Sequence, residues 1–123
     1  MHNLTLYKTR IFQYFKDTRF STPLTDYTHF AQLQGQQCSD SCYLYAVLQQ
    51  QQLVKLHFVV QGCIVAVACA NMLAQMCQNQ PLSILQNLDQ ATFLTTVVQL
   101  PIDDSRLECA MLAFKLCKKV FFP

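Results

Sequence analysis

The sequence predicts an α+β fold in which a three-stranded antiparallel β-sheet is packed by helices. Three observations carry that reading. Between Tyr27 and Gln61 the chain holds three β-rich segments joined by short polar connections. After Gly62 comes a stretch, Cys63 to Cys77, that is apolar on nearly every side. The closing segment places Leu107, Ala110, Met111, Phe114 and Phe121 at helical spacing. A chain of 123 residues that is 52% hydrophobic can bury one core but not two independent ones, so residues 1–123 read as a single domain.

Each element follows from its local pattern. Leu6, Ile11, Tyr14 and Phe15 recur at mixed three- and four-residue spacings, which predicts an amphipathic helix over Leu6 to Phe20, broken by Ser21-Thr22-Pro23. Strands are expected at Thr28 to Gln34, Ser41 to Leu48 and Leu53 to Val60, separated by Gly35-Gln36-Gln37 and by the Gln49 to Gln52 run. Sequential strands with such short connections form an antiparallel meander, and the Gln run reads as a hairpin connection. A helix apolar all round, as Cys63 to Cys77 is, belongs in the middle of a fold. Pro81 suits the first turn of a helix over Leu82 to Leu88, and Asp89 to Val98 offers another before Pro101. The last helix starts at Asp104 or Ser105 as N-cap and carries Lys115, Lys118 and Lys119 in its last turns, where the helix dipole favours cations.

Composition excludes several function classes. A formal charge of +2 with 13% charged residues gives no broad field to hold nucleic acid or an anionic membrane surface. The basic clusters Lys8, Arg10, Lys16, Arg19 and Lys115, Lys118, Lys119 read as solvated faces. Met1 to Arg10 lacks the pattern of a secretory signal, and the longest apolar run, Cys63 to Ala70, is far below the roughly 20 residues of a membrane span. A soluble, cytoplasmic protein is expected. There, seven cysteines, an odd number, point to metal binding or thiol chemistry rather than disulfides. No Gly-rich phosphate loop, Ser-His-Asp arrangement or paired-carboxylate motif supports hydrolytic or nucleotide-dependent chemistry.

On this map Cys38 and Asp40 fall in the connection between the first two strands, Cys63 at the entrance of the buried helix, and Cys109 in the first turns of the last one. The two helix positions are expected to be electropositive and to favour thiolate. Three thiolates and one carboxylate suit tetrahedral zinc or one face of an iron-sulfur cluster. None of these cysteines forms a C-x-x-C pair, so no local knuckle nucleates the site.

Three motifs in order add a resemblance. Gly62-Cys63-Ile64-Val65-Ala66-Val67-Ala68-Cys69-Ala70-Asn71-Met72-Leu73 resembles the Gly-Cys and small-residue helix of IscU, SufU and NifU iron-sulfur scaffolds. Cys38-Ser39-Asp40 is similar to their Cys-Gly-Asp, and Arg106-Leu107-Glu108-Cys109-Ala110-Met111-Leu112-Ala113-Phe114 to the closing Arg-x-x-Cys-Ala-x-Leu-x-Trp of the SufU branch. Leu6 to Phe15 resembles the opening helix. The resemblance implies the IscU/SufU-like fold, with Cys38, Cys63 and Cys109 as cluster cysteines and Asp40 as the labile ligand. It implies a scaffold rather than an enzyme: sulfur received from a cysteine desulfurase, iron bound, and a [2Fe-2S] cluster passed to acceptor or carrier proteins. In the SufU branch the site holds Zn2+ and relays sulfur, with Cys109 as the persulfide acceptor; a divergent non-catalytic metal-binding interaction module is the remaining alternative. Leu100-Pro101-Ile102-Asp103-Asp104 occupies the region of the IscU chaperone-binding Leu-Pro-Pro-Val-Lys, so chaperone delivery is not expected.

Ser39 stands in place of the motif glycine, and Glu108 in place of histidine or lysine. Glu108 is expected either to raise the pKa of the Cys109 thiol or to bind metal itself. Asp17-Thr18-Arg19-Phe20 replaces the family's Asn-Pro-Arg-Asn, which alters the expected desulfurase docking surface. Cys42 reads as a strand cysteine that could serve as a spare thiol, Cys69 and Asn71 as packing, and Cys77 and Cys117 as structural or exposed. His57 reads as a satisfied, half-buried histidine before a ligand, and His2 and His29 carry no signal.

Overall fold

The architecture is that of a computed structural model, described for residues 4–123; His2 lies outside that range. Helix α1 (Leu4–Phe15) buries Ile11 and ends earlier than its apolar periodicity suggests. The cause lies on another element. The buried Asn71 amide donates to the carbonyls of Tyr14 at 2.8 Å and Asp17 at 2.9 Å, satisfying groups that a continuing helix would have used. Arg19 pairs with Asp17 at 2.7 Å across the turn that follows.

Strands β1 (His29–Gln34), β2 (Ser41–Gln49) and β3 (Gln52–Gln61) form the expected antiparallel meander. The Gln run closes its second hairpin: Gln49 pairs with Gln52, and Gln50 and Gln51 take positive φ of 53° and 64°, as a type I′ turn demands. The sheet has four strands rather than three, in the order β1-β2-β3-β4. The added β4 (Gln80–Pro81) pairs with Gln52 and Leu53, so Pro81 sits on an edge strand instead of opening a helix. A proline is tolerated at an edge because its missing N–H is not needed there, and two residues are too few to show a period in sequence.

Cys42, Leu44 and Ala46 of β2 point into the core, while Tyr43 and Tyr45 alternate onto the other face. The inner face is covered by α2 (Ile64–Cys77), buried along most of its length, which also packs against α1 and against α5 (Asp104–Phe121). Between them, α3 (Ser83–Gln86) is shorter than expected, and α4 (Gln90–Thr92), capped by Asp89, runs on as a π-helical stretch over Phe93–Val98. The Arg10 guanidinium closes that stretch by donating to the carbonyls of Val97 at 2.6 Å and Val98 at 2.7 Å. Lys118 donates to the Leu85 carbonyl at 2.7 Å, so each expected basic cluster has a member that fastens the fold. No helix of the described residues is long and apolar enough to cross a membrane.

Candidate metal centre

Three elements deliver the site. The β1–β2 connection is closed by a bond from the Gly35 N–H to the Asp40 carbonyl at 2.9 Å, which turns Cys38 and Asp40 back over the end of the sheet. Ser41 pairs with Gln61, and this register sets Asp40 beside Gly62 and the start of α2. Helix α5 crosses the same end and presents Cys109. One donor atom from each of Cys38, Asp40 and Cys109 lies within 4.8 Å of the others.

Both glycines of the chain make room for these donors. A Cβ on Gly62 would stand 2.7 Å from the Asp40 Cβ and Oδ1, and one on Gly35 would meet the Cys38 Sγ and stand 2.9 Å from its carbonyl oxygen. No real Cβ tolerates such contacts, so close approach requires glycine at both positions. Ser39 adopts no positive φ, so the serine in the middle of Cys38-Ser39-Asp40 brings no left-handed strain.

Cys63 is the N-cap of α2: its Sγ accepts the Ala66 N–H at 3.5 Å, and its own N–H donates to Asp40 Oδ2 at 3.3 Å. It lies next to Cys109 but outside the compact trio. Cys109 departs from expectation. It is the sixth residue of α5, beyond the first turn in which a helix N-terminus favours anions. Burial, followed by hydrogen bonding to Asp40 and Cys38, holds its thiol well above the ordinary value, so the free site keeps this proton.

The donor set fits a cation. Asp40 is only 8% exposed and has no cationic partner, since Arg19–Asp17 is the ion pair among the described residues. The chain offers Asp40 hydrogen bonds from the Cys63 N–H and the Cys109 thiol but no positive charge, which a metal ion held with the two thiols would supply.

Glu108 lies outside the compact trio and contacts it through Cys38, whose thiol also hydrogen-bonds to its carboxylate. Its carboxylate accepts the N–H groups of Gln36, Gln37 and Cys38, and these bonds, Cys38 and Gln36 foremost, hold its pKa below the usual carboxylate range. The Cys109 thiol is raised by burial and by Asp40, Cys38 and Cys63, and not by Glu108 as expected. Nothing in local spacing could have revealed the bonds from Glu108 to the loop, because the partners lie 70 to 72 positions apart.

The remaining candidates are placed in the core or at turns. Cys42 is fully buried and its thiol is pushed up to about 12 by burial, as are Cys69 and Cys77, which makes all three poor nucleophiles. Cys117 is buried as well, so neither it nor Cys77 is an exposed thiol. His57 donates from Nδ1 to the Thr22 carbonyl at 3.0 Å and meets Phe20 edge-on, a structural role that anchors the turn after α1. The His29 ring lies against Phe121.

With that geometry established, the comparisons agree on a class. The family model of the NifU-like N terminal domain matches residues 6–121, and the chain belongs to that family. A solved structure of a candidate iron-sulfur cluster assembly scaffold protein for the SUF system from Fervidobacterium islandicum AW-1 superposes with a TM-score of 0.75 at 17% identity, covering 94% of this chain and 96% of that one. The N-terminal part of a nitrogen-fixing NifU-like protein from Brucella abortus gives 0.75 at 13% identity, over 93% and 90% of the two chains. At these identities the superpositions establish the fold. Among curated proteins none matches. Family membership supports a role in iron-sulfur cluster assembly.

Proposed function

We propose that this protein is a scaffold on which a [2Fe-2S] cluster is built and released, with Cys38, Asp40, Cys63 and Cys109 as ligands. The observation that carries this reading is the meeting of Cys38, Asp40 and Cys109, without a cationic partner, in a chain of the NifU-like family. Iron and sulfur are cargo here, and the protein acts as a holder rather than an enzyme. Thiolates of Cys38, Cys63 and Cys109 would bind the iron firmly, while the Asp40 carboxylate, a harder donor, would bind it less tightly and allow transfer to acceptor proteins. Sulfur would come from a cysteine desulfurase. Once bound iron has displaced its proton to solvent, the Cys109 thiolate would attack the sulfane sulfur of the donor persulfide, the donor S–S bond would break and the donor leave as its thiolate; ferrous iron and excess cysteine would then reduce the transferred sulfur to sulfide and free Cys109.

Anaerobic incubation with ferrous iron, cysteine and a cysteine desulfurase should give a coloured, cluster-bearing protein, and Cys38→Ala, Cys63→Ala or Cys109→Ala should abolish the colour. Wild-type protein that stays colourless with its thiols reduced would overturn the reading.

The compactness of the trio favours a second reading, a resident zinc ion. Tetrahedral zinc with Zn–S bonds of about 2.3 Å places its donors about 3.8 Å apart, and a group confined within 4.8 Å is already close to that spacing. On this reading the protein as isolated carries one zinc and stimulates desulfurase turnover through Cys109. Metal analysis separates the two, and unchanged stimulation in Cys109→Ala would rule out the sulfur relay.

A further inference from the structure

Helix α5 carries two neighbouring residues that reach the Cys38 loop by different means. Cys109 reaches it through its thiol, and Glu108 through its carboxylate. Oε2 accepts the Gln36 N–H at 2.7 Å, Oε1 accepts the Cys38 N–H at 2.9 Å, and the Gln37 N–H lies 3.0 Å from Oε1 and 3.3 Å from Oε2. Three successive backbone N–H groups aimed at one point form an anion-binding concavity, and here a side chain of the same protein fills it. The bonds are charge-assisted, hence short and directional. The same carboxylate also takes a hydrogen bond from the Cys38 thiol, so it holds that residue by backbone and by side chain.

The link runs from the Cys38 backbone through Glu108 to the Cys109 backbone. Loops are the mobile parts of a fold, and this one bears a donor whose thiol must stay beside a donor on a helix. We propose that Glu108 is a positioning residue: it fastens the Cys38 loop to α5 and so sets the Cys38 thiol against that of Cys109 for the metal. Gly35 complements it by leaving space for the Cys38 Sγ. The part of the proposal that concerns metal rests on the function proposed above, whereas the thiol geometry does not.

The test uses Glu108→Ala and the nearly isosteric Glu108→Gln in the full chain. If Glu108 acted only as a negative charge next to Cys109, its removal would ease thiolate formation and tighten metal binding. Loss of a positioning contact has the opposite sign. The expected result is a Co2+ affinity about 10–100-fold weaker in both variants, with a weaker thiolate-to-cobalt charge-transfer band. Amide exchange should rise by roughly tenfold or more at Gln36, Gln37 and Cys38 and not in the β2–β3 ladder. In the metal-free protein, bridging of Cys38 to Cys109 by the bifunctional thiol reagent dibromobimane, mapped by peptide mass, should fall. Equal or tighter Co2+ binding, or bridging and exchange at wild-type levels, would overturn the proposal. Should the wild type take up no Co2+, the metal reading fails, and the bridging yield and amide exchange then decide the positioning role by themselves.

Discussion

Gly62 stands against Asp40 so closely that a single methyl group would displace the carboxylate, while Gly62 itself needs no unusual backbone angle. Gly62→Ala therefore acts on the site and not on the turn. We expect the apo fold to survive, by far-ultraviolet circular dichroism, and Co2+ affinity to drop about 10–100-fold, as when a support of a ligand is lost. Wild-type affinity would show that Asp40 plays no part in binding. As a ligand, Cys109 would contribute to the pH dependence of metal binding. Its thiol, raised by burial and by its Asp40 and Cys38 neighbours, is protonated in the free protein at neutral pH, so a metal has to expel that proton. Higher pH removes the competitor, and apparent affinity should rise about tenfold per pH unit for each proton released. Co2+ titrations between about pH 6.5 and 7.5 check this, and a pH-independent affinity would exclude Cys109 as a ligand.

The β2–β3 hairpin shows an element built against local preference. Both turn residues are glutamines with positive φ, a conformation that costs an L-residue about 1–2 kcal/mol and that glycine adopts freely. The flanking strands impose it, because the twist of a type I′ turn matches that of the right-twisted strands it joins. Gln51→Gly should stabilise the protein by about 1 kcal/mol, read as a higher urea midpoint at unchanged m-value. A lower midpoint would mean that the Gln51 side chain contributes more than its backbone strain removes. Helix α1 makes the complementary point. Its apolar spacing persists toward Phe20, yet it stops at Phe15 because Asn71, on another helix, takes the carbonyls at its end.

For the molecule as a whole, the buried thiols of Cys42, Cys69 and Cys77 make stability sensitive to alkali. Each has a folded-state pKa of about 12 against an ordinary value of 9.0. Between those values the unfolded chain has lost these protons and the folded chain has kept them. Their contribution to stability is thus whole below about pH 9 and declines up to about 12, with a slope near 1.4 kcal/mol per pH unit for each thiol. Urea unfolding of the reduced apo protein at a series of pH values should show this decline, and a flat profile above about pH 9 would mean that the thiols are not buried.

The amino-acid pattern by itself determined the succession of helix, strands and helices, the burial of most of Cys63 to Cys77, and the placing of Cys38, Asp40 and Cys63 in connections or at a helix entrance. These are consequences of local period and turn chemistry, which act over a few residues. Only the tertiary structure decided that Cys38 and Asp40 meet Cys109, that Cys77 and Cys117 are enclosed, that Pro81 lies on a fourth strand, and that Glu108 holds a loop 70 to 72 positions away. Such pairings arise from how the faces of helices and sheet pack, and packing brings together groups whose separation along the chain carries no signal of their contact.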